Sequence, residues 1–216
     1  MTLRFEMGIL FGLFCTGCAE TTKEPVSVPD AAPALSEDPS KRLAVGPVSF
    51  ETPKEWEVQD SKQSEGLVLF APERPEWKEI GFRPNLGVLK RVHPGVSLDR
   101  YREKLNETLG NSVQSVNAVI AEYKEKALTG DGPDIRLKER AEYNLFVATI
   151  DKVRVLSSKF SGVYTLPKGA VGTTTYGMQI LTSDALYSIA LTFPDEFKEE
   201  METVWSAFEK TVRIEK

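Results

Sequence analysis

Two cysteines and a single histidine in 216 residues leave this chain short of the side chains that most metal and nucleophile chemistry uses. A typical zinc site collects four His or Cys ligands, which His93 cannot supply alone. Nor can a disulfide framework rest on so few thiols. Basic residues are in deficit as well: 27 Lys and Arg against 32 Asp and Glu give a net charge of −5 at pH 7. That balance implies neither a nucleic-acid footprint nor a basic membrane patch. The apolar stretch near the start, Met7 to Phe14, counts eight apolar or glycine residues, whereas a helix crossing a bilayer needs about 20.

What stands at the start instead is a leader. Arg4, partly offset by Glu6, precedes the apolar stretch, and the run Leu13-Phe14-Cys15-Thr16-Gly17-Cys18 closes it. This run resembles the lipobox of bacterial lipoproteins, with Cys15 where that family prefers leucine. The resemblance implies cleavage before Cys18, a diacylglyceryl group on its thiol and acylation of the new amino group. Residues 1–17 are then a signal peptide, and the membrane is a partner through the lipid on Cys18. Cys15 leaves with the leader, so the folded body holds no free thiol for catalysis. An ordinary secretory leader cut nearby is the alternative.

Residues 18–44 are rich in Pro, Glu, Ser and Thr, as in Thr21-Thr22-Lys23-Glu24-Pro25. Such a segment buries too little apolar surface to offset its ordering entropy and is expected to be a disordered tether. Residues 45–216 suffice for one domain with a single core. Its first third reads as strands: Val48 to Glu51, Trp56 to Val58, Gly66 to Phe70 and, after a polar loop over 73–84 carrying Trp77 and Phe82, Asn85 to Leu89. Ser97 reads as an N-cap, Leu98, Tyr101, Leu105 and Leu109 follow at helical spacing, and Gly110 is expected to stop the helix. Between 112 and 150 the pattern stays open: Val113, Val116, Ile120 and Tyr123 share a helical face, while Val116, Ala118 and Ile120 also alternate like a strand. Residues 134–149 could be a helix or the lead-in to a strand. The last third predicts three hairpin-linked strands, Val153 to Phe160, Thr173 to Leu181 and Leu186 to Phe193. An amphipathic helix then carries Phe197, Met201, Val204, Trp205, Phe208 and Val212 on one face.

The opening Phe50-Glu51-Thr52-Pro53-Lys54-Glu55-Trp56, the entry Pro84-Asn85-Leu86-Gly87-Val88 and the close Leu186 to Phe193 with its final helix resemble PsbP-like proteins and the DcrB and LpqN lipoproteins. The resemblance covers residues 46 to 213. It implies an α+β fold, a largely antiparallel sheet covered by helices in an α/β/α sandwich. It also implies a non-enzymatic adaptor or assembly role, and names no partner.

Candidate sites are sparse. His93, in Arg91-Val92-His93-Pro94-Gly95, reads as a solvated loop histidine with no nucleophile to activate. Asp131 and Asp134 lack the alternating oxygen ligands and terminal Glu of a calcium loop and fit a turn better. Glu139, Glu142 and Asp151 have no fixed spacing for acid/base work. Gly162, Gly169, Gly172 and Gly177 are scattered among β-rich runs and do not form a phosphate loop. Catalytic residues, metal ligands and cofactors are therefore not expected. Trp77 and Phe82, in the polar loop, are the expected binding surface. The reading is a lipid-anchored adaptor in the bacterial cell envelope, its domain facing the periplasm or the exterior, with an envelope protein partner. A carrier or sensor of a small apolar ligand is the alternative, favoured if Phe160, Tyr176, Met178 and Trp205 line one cavity.

Overall fold

β-rich runs in the last third build the longest strands among the described residues. The computed structural model describes residues 42–60, 65–128, 140–166 and 169–215. All lie in the second of the two units into which the chain divides, Met1–Ala31 and Ala32–Lys216. The order is β1 (Arg42–Val45), β2 (Val48–Glu51), β3 (Glu57–Asp60), β4 (Gly66–Phe70), α1 (Pro75–Ile80), β5 (Asn85–Val92) and α2 (Leu98–Leu128). Then come β6 (Tyr143–Ile150), β7 (Val153–Leu166), β8 (Gly169–Leu181), β9 (Ala185–Pro194), a 3₁₀ turn (Asp195–Phe197), α3 (Lys198–Glu209) and β10 (Arg213–Ile214).

Seven strands form one sheet in the order β3-β4-β5-β9-β8-β7-β6, and three form a second in the order β1-β2-β10. Every pair is antiparallel. The fold is α+β with a large antiparallel sheet, as expected.

Residues directly opposite in an antiparallel pair share a face, so register sorts the side chains. One row runs Leu69, Leu86, Leu191, Tyr176, Lys159, and the next Leu67, Val88, Ile189, Met178, Ser157, Phe146. This face carries the main core. Met201, Val204, Trp205 and Phe208 of α3 pack into it, together with Val45, Val48 and Phe50 of the small sheet and Ile214 of β10. Gly46 turns β1 into β2 at φ 58°, and a Cβ there would lie 2.4 Å from the Tyr187 hydroxyl; both the dihedral and the close approach require glycine.

The opposite face is different in kind. Its rows run Val68, Gly87, Ala190, Gly177, Ser158, Leu145 and Leu89, Ser188, Gln179, Leu156, Val147. Helix α2 lies on this side, at the β6–β7 end: Arg154 pairs with Asp99 at 2.7 Å and the Tyr143 hydroxyl donates to Asn106 at 3.0 Å. The backbone N–H of Ala141 donates to Asn117 at 2.6 Å, fixing the entry to β6.

Several expectations change. Gly110 does not stop α2, which runs 31 residues to Leu128. Leu105, Leu109, Val116 and Ile120 are 2–6% exposed and keep one stripe on the sheet across the glycine. Their burial outweighs the roughly 1 kcal/mol that a helical glycine costs. Ser97 is an N-cap, its hydroxyl accepting from the Arg100 amide at 3.4 Å.

Of the open stretch, residues 112–128 belong to α2 and 143–150 to strand β6, while 129–139 lie outside the described residues. β1 begins at Arg42, inside the segment read as tether. Arg42 bonds Ser49, Glu51 and the Thr211 carbonyl, contacts that no composition argument sees. The loop over 73–84 contains α1, with Pro75 in its first turn and Gly81 closing it at φ 77°. Val212 stays buried but lies beyond α3.

Candidate functional site

Trp77 and Phe82 do not form an exposed surface. Trp77 is 3% exposed and Phe82 8%. Once α1 forms, Trp77 faces inward: its indole N–H donates to the Pro72 carbonyl at 3.0 Å, and its ring meets Phe197 edge-on at 4.1 Å. Arg74 caps the ring at 5.4 Å while gripping Glu200 through both nitrogens at 2.7 and 3.0 Å. Phe82 meets Tyr164 edge-on at 5.0 Å. The two aromatics therefore bolt the segment to the start of α3 and the end of β7.

The expected cavity lining is also divided. Tyr176 sits opposite Lys159, so Phe160 points to the α2 face while Tyr176 and Met178 point to the α3 face. Tyr176 stacks on Phe193 at 5.9 Å and on Trp205 at 5.8 Å. Those rings occupy the space between α3 and the sheet that a ligand would need. An open depression of about 600 Å³ at the start of α3 is of another character, lined by Asp195, Glu196, Glu199, Glu200 and Glu202 with Phe197 and Lys198.

At the rim of the stack lies a cluster that sequence reading missed. The Tyr176 hydroxyl donates to Glu202, Lys159 reaches the same carboxylate at 3.1 Å, and its ammonium lies 5.2 Å from the Tyr176 ring centre. Burial, and then the bond to Glu202, pushes the Tyr176 phenol above its ordinary range. Burial works against the charge on Lys159, yet its bonds to Tyr176 and Glu202 outweigh that and raise it. The bonds from Tyr176 and then Lys159 hold Glu202 below the usual carboxylate range. All three shifts lead away from neutrality, the reverse of what acid/base catalysis near pH 7 requires. The cluster clamps α3 to β7 and β8. A Lys and a Tyr on adjacent strands, facing an acid on the final helix, was its only sequence signal.

The remaining candidates have structural places. His93 lies between β5 and α2, where its Nδ1 accepts from the Gly95 amide at 2.9 Å. Asp151 sits in the β6–β7 turn and accepts from the Ile214 amide at 3.0 Å, joining the two sheets. Gly162, Gly172 and Gly177 are strand residues of β7 and β8, and Gly169 opens β8. Glu142 is exposed just before β6. Cys18, Asp131, Asp134 and Glu139 lie outside the described residues. Among the described residues no three His, Cys, Asp or Glu side chains gather as a metal site would, and no helix is long and apolar enough to cross a membrane.

No protein-family model matches the chain, and no curated protein matches it. Solved structures do. The solution structure of cyanobacterial PsbP from Synechocystis sp. PCC 6803 is 11% identical, with 89% of this chain and 98% of that one covered and a TM-score of 0.46. LpqN of Mycobacterium tuberculosis, described as involved in cell envelope biogenesis, is 12% identical, with 83% and 87% covered and a TM-score of 0.42.

Proposed function

We propose that the chain is a non-catalytic binding protein of the bacterial cell envelope, held to a membrane by lipid on Cys18 and acting as an adaptor for a protein partner. The observation that carries the adaptor over the ligand carrier is the ring stack of Phe193, Tyr176 and Trp205. It occupies the place where an apolar ligand would sit, and Phe160, needed for the same chamber, faces the other way. Recognition is then left to the outer surface. The lipobox-like run ending in Cys18 supports the anchor. Acylation with several chains, at about 0.8 kcal/mol per buried CH₂, makes attachment effectively permanent where one chain would be marginal.

Metabolic labelling with a fatty acid tests the anchor. Label is expected on the native chain and absent from Cys18→Ser, which should appear as soluble protein or uncleaved precursor. Label persisting in the variant rejects the assignment. Cross-linking and co-purification from the native envelope test the adaptor: a stable protein complex is expected, and a chain that emerges alone with a bound apolar molecule favours the carrier.

A further inference from the structure

We draw no further inference here: the strongest candidate, the uncharged edge strand β6 (Tyr143–Ile150) of the seven-stranded sheet with Phe146 half-exposed at its middle, carries nothing because nothing in the structure shows what covers it.

Discussion

Under α3, Phe193, Tyr176 and Trp205 stack ring on ring at 5.8–5.9 Å. Across the same strands, the α2 face sets Thr175 against Thr192 at 3.1 Å and Ser188 against Gln179 at 2.6 Å. Both faces are buried at the sheet centre, yet by opposite means. The ring face gains from area removed from water, at about 25 cal/mol per Å². The polar face gains little net from its paired groups, but each becomes costly once its partner is removed. Strand register alone decides which side chain meets which environment.

The comparison breaks most visibly at Trp205, which is 7% exposed in the middle of the α3 stripe. Trp205→Ala should cost about 3 to 5 kcal/mol through lost transfer energy and the cavity left behind. With total stability on the order of 5 to 15 kcal/mol, the domain would be left marginal. Lys198→Ala, at the partly exposed start of α3, should change little. Chemical denaturation measures both.

On the polar face the expected effect is smaller and has a different signature. Ser188→Ala leaves the buried Gln179 carbonyl oxygen without its donor and should cost about 1 to 3 kcal/mol. Gln179→Met combined with Ser188→Ala removes both partners and should cost less than the sum of the two single changes, as read from urea midpoints. Additive losses would mean that the pair contributes no more than two independent contacts.

Smallest is the clamp at the rim. Glu202 has its carboxyl lowered in the folded state by Tyr176 and Lys159. Its contribution is therefore full above the ordinary value of 4.5 and is lost as pH falls through the depressed folded value. Tyr176→Phe removes one of the two bonds. In this solvent-screened site the loss should be below about 1 kcal/mol at pH 7. The difference from the native chain should shrink on acidification below 4.5, and thermal melts across pH 3 to 7 would reveal a gap that instead stays constant.

Much of this contrast was legible in the sequence. The stripe Met201, Val204, Trp205, Phe208 follows from helical period because α3 buries one face, whereas the three late strands, buried on both faces, follow from β-rich runs between turn signals. Local rules failed where distant contacts decide. Gly110 carries a stop signal that the packing of Val116 and Ile120 overrides, and β1 begins at Arg42 because its guanidinium reaches Thr211, 169 residues away. Trp77 looked exposed because its neighbours in sequence are polar; in the fold its ring packs against Phe197, far along the chain. Phe160 was grouped with Tyr176 although strand pairing puts the two on opposite faces, a matter of parity that composition does not contain.

The central claim is that this domain acts by its surface, since rings already fill the space between α3 and the sheet. Native mass spectrometry of the full chain, purified in mild detergent from its own envelope, tests it most directly. The predicted masses are those of the acylated chain and its protein complexes, with no small molecule beyond the acyl groups on Cys18. A one-to-one apolar ligand that disappears in Met178→Trp, a change that fills the α3 face further, would contradict the account.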